Sequence, residues 1–389
     1  MSFNITDYGA VADGTTQNAP FIQRAINECA RSGGGRVIIP AGTFLSGTIR
    51  MKSNVELHLA EGARLLASPN LDDYNDEDEY PQNFCYRDEE WCGKHLIIAI
   101  ECENIAFTGS GIIDGNGGAY YAEPIFFDRF IWRDGLSLSR DKVRLRPGQL
   151  VCIVESINIT VRDITVKNAT SWCIFLHGCE NAKIFSVKIY NPKTYANTDG
   201  INIDACKNVT VTDCHIDTGD DAIPIRCNTA MLKNKDRICE HISIRNCTLA
   251  SSSSVFRFGI GNVCRIKDVD ISNIRILRGG VCLHFMVSYA RHVSELSDIR
   301  ISNVTAENIS YPLEITGSKG YAKSLSIKNF ESDAYTTSRI VATDECRVED
   351  LTLENVTIRK RALVGDGISY EPLEISGVCP IMKYIDLNA

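Results

Sequence analysis

From residue 158 onward the chain repeats a short pattern. A polar residue opens it, apolar residues alternate with polar ones, and Asn, Asp or Ser closes it. The copies are 158–163 (NITVRD), 181–186 (NAKIFS), 208–213 (NVTVTD), 241–246 (HISIRN), 268–273 (DVDISN), 298–303 (DIRISN), 324–329 (SLSIKN) and 350–355 (DLTLEN). Their starting residues span 158 to 350, a mean step of about 27 residues, and a fixed period of this size marks a repeat architecture. Ile, Val and Thr alternating with polar residues predict short strands. Helical periodicity is absent between the copies, and there is no room for a long helix. A coil of about 27 residues with about three short strands predicts an all-β fold, a single right-handed parallel β-helix over residues 1–389. Its coils stack about 4.8 Å apart, with alternate side chains filling the interior. Earlier copies are visible at 54–59 (NVELHL) and 104–109 (NIAFTG). A β-propeller, whose period is nearer 40 residues, and a two-sheet sandwich are the competing folds.

An open stack exposes its ends. Residues 16–30 place Phe21, Ile22, Ala25, Ile26 and Cys29 on one helical stripe, and Gly33, Gly34 and Gly35 follow. This segment is expected to cap the first coil and cover its unpaired strand edge. The acidic run 72–79 reads as a solvated loop. The longer segments 72–93 and 120–146 could wall off one end of a groove.

Composition narrows the function classes. The chain has 41 Lys plus Arg against 49 Asp plus Glu, a net charge of -8, which disfavours nucleic acid as a partner. No apolar run approaches the roughly 18 residues of a membrane helix, so no membrane partner is expected. The opening MSFNITDYGAVADG lacks a basic region followed by an apolar one. The 16 cysteines contain no C-x-x-C pair, and several sit in strand-like apolar runs. Reduced, buried thiols in a cytoplasmic protein are therefore expected. The pattern leaves the oligomeric state open.

Two segments carry candidate chemistry: 197–204 (NTDGINID) and 217–226 (DTGDDAIPIR). Asp199 and Asp221 are 22 residues apart, about one coil, so stacking places them on neighbouring rungs with Asp220 alongside. Three close carboxylates repel one another, and at least one should hold its proton above the ordinary range. A protonated carboxyl beside an ionised one suits glycoside hydrolysis. Turn ladders between coils and a calcium site are the alternatives on spacing alone.

At these residues the chain resembles glycoside hydrolase family 28, the polygalacturonase and rhamnogalacturonase group. The resemblance also covers 7–10 (DYGA), 13–14 (DG), 33–35 (GGG), 39–44 (IPAGTF), 109–115 (GSGIIDG) and 146–147 (RP). It implies Asp220 as general acid, and Asp199 with Asp221 as the pair that positions and deprotonates water. It further implies inversion by single displacement, an oligosaccharide substrate, and no metal or other cofactor. An acid–base separation of about 6.5–9.5 Å accompanies that mechanism.

The chain departs from the family pattern beyond the aspartates. Where the family carries Gly-His-Gly, 252–259 reads SSSVFRFG. Where it carries Arg-Ile-Lys, 280–284 reads GVCLH, so Cys282 and His284 stand in for the two cations. Phe175 replaces a histidine often found near Trp172. Strict alternation turns Arg257, Cys282 and His284 toward the groove. Either Arg257 replaces the carboxylate clamp or the bound sugar is neutral. Asn197, Arg257, His284, Arg226, Asn202 and Phe175 are the substrate-binding candidates.

The expected function is hydrolysis of pectin-derived or related oligosaccharides, with exo action favoured by the long loops. Another carbohydrate reaction on the same scaffold (a glycan or fructan transferase, a lyase or an epimerase) is the alternative. A non-catalytic carbohydrate-binding β-helix is another.

Overall fold

A computed structural model describes residues 1–89, 93–121, 146–289 and 292–361, together with the strand segments Ile368–Tyr370, Glu374–Ser376 and Met382–Ile385. The chain winds as a right-handed parallel β-helix, the hand expected of parallel crossovers. Each strand pairs with the equivalent strand one coil on. Ile159 registers with Ala182, Ala182 with Val209, Val209 with Ile242, and Ile242 with Val269. These inward residues are buried, as are Val161, Ile184, Val211, Ile244 and Ile271 two positions later. The core is therefore a set of continuous apolar stacks along the helix axis.

The polar residues that flank each repeat have a backbone role. Asn158, Asn181, Asn208, His241, Asp268, Asp298, Ser324 and Asp350 all have φ between 52° and 60°. The residues five positions later, Asp163 to Asn355, have φ between 51° and 66°. Each coil bends through a left-handed residue at both ends of this strand, a conformation Asn and Asp tolerate better than apolar residues do. The side chains also form ladders. Asn104 Nδ2 donates to Asn54 Oδ1 at 2.8 Å, Asn158 to Asn104 at 2.9 Å, and Asn208 to Asn181 at 3.0 Å. A second ladder joins Asn246, Asn273, Asn303, Asn329 and Asn355.

The predicted helix forms as α1, Ala19–Arg31, with Pro20 in its first turn. Ile22, Ala25, Ile26 and Cys29 are buried and Phe21 is partly so, packed on the N-terminal strands Ser2–Asn4 and Gly35–Ile39. Gly33, Gly34 and Gly35 take φ of 90°, 103° and 145° to turn the chain into the first coil. A Cβ on Gly34 would lie 2.4 Å from the Asn54 carbonyl oxygen. Thirteen of the fourteen described cysteines are buried, Cys85 being the exception, and none of the fourteen is in a disulfide.

Candidate active site

The functional face lies on one long sheet, built from Val151–Val154, Ile174–His177, Ile201–Asp204, Ile223–Arg226 and Ser254–Gly259. At the entry to these strands the chain bends, and two successive residues point inward. Cys173 and Ile174, Ala222 and Ile223, Val255 and Phe256, and Cys282 and Leu283 are all completely buried in the core. This corrects the expectation that Cys282 faces the groove. Strict alternation fails at a bend, and burial pushes the Cys282 thiol well above its ordinary range.

Residues on either side of each inward pair face outward. Asp199 and Asp221 precede such pairs. The Cys173 amide donates to the Asp199 carbonyl at 2.8 Å, and the Gly200 amide to the Asp221 carbonyl at 2.9 Å, so these rungs stack directly. Asp199, Asp220 and Asp221 are all buried, and a carboxylate oxygen from each lies within 4.8 Å of the others. That oxygen-to-oxygen approach is shorter than the expected acid–base gap of about 6.5–9.5 Å. Asp199 sits one rung from Asp220 and Asp221, which are chain neighbours, so one ladder spacing and one residue step bring the three together.

Each carboxylate has its own partners. Arg226 Nη2 lies 3.3 Å from Asp199 Oδ2, and Arg257 Nη1 lies 3.0 Å from Asp221 Oδ2. Asp220 accepts from the Asn197 amide at 3.0 Å and from the Ser253 hydroxyl. Burial, then the charge of Asp221, pushes the Asp220 carboxyl up to about 6, against the opposing pull of Arg257, Ser253 and the Asn197 amide. Asp199 is also held well above the carboxylate range, by burial first and then by Asp220 and Asp221, with Arg226 and Arg257 opposing. The site therefore stores a proton near neutral pH.

The serine run, which the sequence reading treated only as a missing histidine, proves to be the frame of this cluster. Ser251 Oγ donates to the Asp220 carbonyl at 2.7 Å, and the Ser254 amide donates to Asp221 Oδ1 at 2.9 Å. Ser252 Oγ accepts from Arg278 Nη1 at 3.1 Å, and Arg278 also pairs with Asp217 at the start of the Asp220 turn. Removing the Ser253 hydroxyl withdraws a donor from ionised Asp220. A hydrogen bond to a charged group contributes about 1.5–3 kcal/mol, roughly one to two pH units. Ser253→Ala should move the alkaline limb of the kcat–pH profile up by about one unit. An unmoved limb would show that Ser253 does not act on Asp220.

Arg146 is a second residue missed as functional. Its guanidinium is buried against the Thr170 and Ala196 carbonyls, and Nη2 donates to Asn197 Oδ1 at 2.8 Å. It thereby fixes the turn whose amide holds Asp220. Its only signal in the sequence was the Arg-Pro pair at 146–147.

On the N-terminal side of the aspartates the sheet is covered. Tyr86 is buried there, and its hydroxyl donates to Asp204. The Tyr86 ring meets Trp172 edge-on with centroids 5.1 Å apart, and Phe175 at 6.0 Å. The Arg226 guanidinium stacks 4.3 Å from the Trp172 ring centroid. Phe175, Asn202 and Arg226 are 3%, 0% and 3% exposed, so three of the substrate-binding candidates are sealed beneath this plug. Asn197 and Arg257 are partly exposed, whereas His284, expected to face the groove, is buried, with Nδ1 3.0 Å from Ser254 Oγ. Tyr86 of this plug comes from the segment 72–93, whose residues 90–92 lie outside the described residues. The other loop, 120–146, falls almost wholly outside the described residues.

Comparison with known proteins agrees with this geometry. A probable polygalacturonase of Vitis vinifera is 26% identical over 97% of this chain and 73% of its own length. An exo-poly-alpha-D-galacturonosidase of Dickeya chrysanthemi is 30% identical over 57% of this chain, but only 41% of that protein is spanned. Among solved structures, the polygalacturonase of Erwinia carotovora superposes with a TM-score of 0.69 at 21% identity, over 94% of this chain and 95% of the other. The Yersinia enterocolitica family 28 exopolygalacturonase gives 0.68 at 20% identity, over 99% and 79%. At those identities the structures speak for the shared fold. The family assignment rests on the sequence itself: the model of glycosyl hydrolases family 28 matches residues 29–360, spanning the stacked aspartates and the coils on both sides, and the chain belongs to that family.

Proposed function

We propose that this glycoside hydrolase trims pectin-derived oligosaccharides from one chain end, by a single displacement that inverts the anomeric carbon. The observation that carries the reading is a triad of stacked carboxylates at the foot of an aromatic plug. Asp220 gives its proton to the leaving oxygen. It is the most exposed of the three at 5%, and burial with the charge of Asp221 keeps it protonated up to about 6, against the pull of the Asn197 amide and the Ser253 hydroxyl. Asp199 faces the Arg226 guanidinium and Asp221 that of Arg257, and together the two aspartates hold the water and take its proton. Tyr86, Trp172 and Arg226 stop the sugar chain beyond the cleavage point, which supports exo action. The pairing of the described strands with their counterparts one coil on supports a single β-helix domain.

Two measurements test the reading. Proton NMR of the first product should show the inverted anomer, and early time points should show only the smallest product. Retention, or a ladder of intermediate lengths, would overturn it. A metal is not part of the proposed reaction, because Arg226 and Arg257 already balance the carboxylates. Activity should survive dialysis against EDTA, and loss restored by calcium would count against this assignment. A cytoplasmic location is supported by the buried, unpaired thiols. Titration of denatured protein prepared without reductant should find most of the 16 cysteines free.

A further inference from the structure

A second groove lies on a different sheet, formed by Ile157–Arg162, Glu180–Phe185, Lys207–Thr212 and Cys239–Arg245. Each of these strands follows a strand of the catalytic sheet, so the groove lies round the corner that comes after His177 and Asp204. It encloses about 540 Å³. Thr160, Lys183 and Thr210 face it from successive rungs in direct register. The carboxamide ladder of Asn158, Asn181 and Asn208 runs along one side, and His241 stands at its C-terminal end. Among the described residues, no carboxylate lines the groove.

The polar lining is only partly used by the protein itself. Asn181 Nδ2 donates to Asn158 Oδ1 at 3.2 Å, and Asn208 Nδ2 to Asn181 Oδ1 at 3.0 Å. A carboxamide has two N–H groups and an oxygen with two lone pairs, so each rung of the ladder keeps a donor and an acceptor for a ligand. The Thr160 and Thr210 hydroxyls and the Lys183 ammonium have no side-chain hydrogen bond or ion pair among the described residues. The charges around the groove are matched: Glu180 pairs with Arg237, Glu240 with Lys207 and Lys267, and Arg162 with Asp163. His241 pairs with Asp268, which also pairs with Arg300. Lys183 is thus a cation held open to a ligand, on a protein of net charge -8. A uronate-bearing oligosaccharide matches this lining. Its hydroxyls donate and accept, as the carboxamides and threonines do, and its carboxylate meets an ammonium that no described acid engages.

We propose that this groove is a second, non-catalytic binding site whose ligand is a uronate-bearing oligosaccharide. The ligand class follows from the groove's own lining and does not depend on the hydrolase reading. Calorimetry with a linear tri-uronate tests it on full-length Asp220→Asn protein, which should bind without turnover. Lys183→Glu, added to that protein, should weaken one binding event by about fivefold or more, since an exposed pair contributes modestly and reversal adds repulsion. Thr210→Glu should weaken the same event from the next rung. Both variants should melt like their parent, and in otherwise wild-type protein both should keep the parent's kcat on a di-uronate. The same trisaccharide with its carboxyls reduced to hydroxymethyl groups should bind the groove more weakly. Tri-uronate binding that neither variant changes would overturn the proposal, as would undiminished binding of the reduced form or equally tight binding of inorganic phosphate. Binding sensitive to both variants, without turnover of uronates by the wild-type protein, would instead refute the hydrolase reading and leave this proposal standing.

Discussion

Asp220→Asn should lower kcat at least a hundredfold while making the protein harder to melt. The amide keeps the shape of the carboxyl and removes its transferable proton, and general acid catalysis contributes about 10²–10⁴ in rate. The stability change follows from the same perturbation. Burial and the charge of Asp221 raise the Asp220 carboxyl from 3.8 to about 6 in the folded protein. The folded state therefore binds a proton more tightly than the unfolded chain does. Stability from this group is complete below the unfolded value and is lost as pH rises from 3.8 through about 6. At pH 7 the ionised carboxylate is a net cost, on the order of 3 kcal/mol at most, which an uncharged amide relieves. The melting temperature of the variant should exceed the wild-type value at pH 7, and the two should converge near pH 4. The wild-type kcat should fall as pH rises through about 6, where the acid loses its proton. A variant with wild-type activity would show that Asp220 is not the acid. One with lower stability at pH 7 would show that the carboxylates do not repel as described.

Arg226→Met should fail in the opposite way. Arg226 lies beneath Tyr86, against Trp172, and 3.3 Å from Asp199. Methionine keeps much of the apolar volume but leaves Asp199 buried without its cation. Breaking a buried pair by removing one partner costs about 3–5 kcal/mol, because the remaining charge stays desolvated. Asp199 should then hold its proton to higher pH. The acidic limb of the kcat–pH profile should move upward, and kcat should drop at least tenfold at pH 6. Arg226→Lys should recover part of the stability but not the full rate, since an ammonium restores the charge without the planar stack on Trp172. A destabilised variant with an unmoved acidic limb would make Arg226 a packing residue alone. Urea melts at pH 7 read the first effect, and initial rates across pH read the second.

The coil repeat, the apolar interior and the capping helix were all legible in the sequence, because each depends on local pattern. The polar residue opening each repeat reports a left-handed bend, the apolar alternation reports a strand with one buried face, and the stripe at 21–29 reports a helix with one. Asp199, Asp220 and Asp221 could also be brought together from sequence, since a repeat of known height converts 22 residues into one rung. The approach of their oxygens to within 4.8 Å could not, because the hydrolytic mechanism suggested a wider gap and the stacking of the Asp199 rung on the Asp220–Asp221 turn overrode it. Cys282 was misplaced for a related reason: strict alternation holds along a straight strand but not through a bend that turns two successive residues inward. What the serines, Arg146 and Tyr86 do was decided only by tertiary structure. Their partners are 24 to 118 residues away in the chain, and nothing in local pattern records which carbonyl, carboxylate or ring a side chain will meet once the coils are stacked.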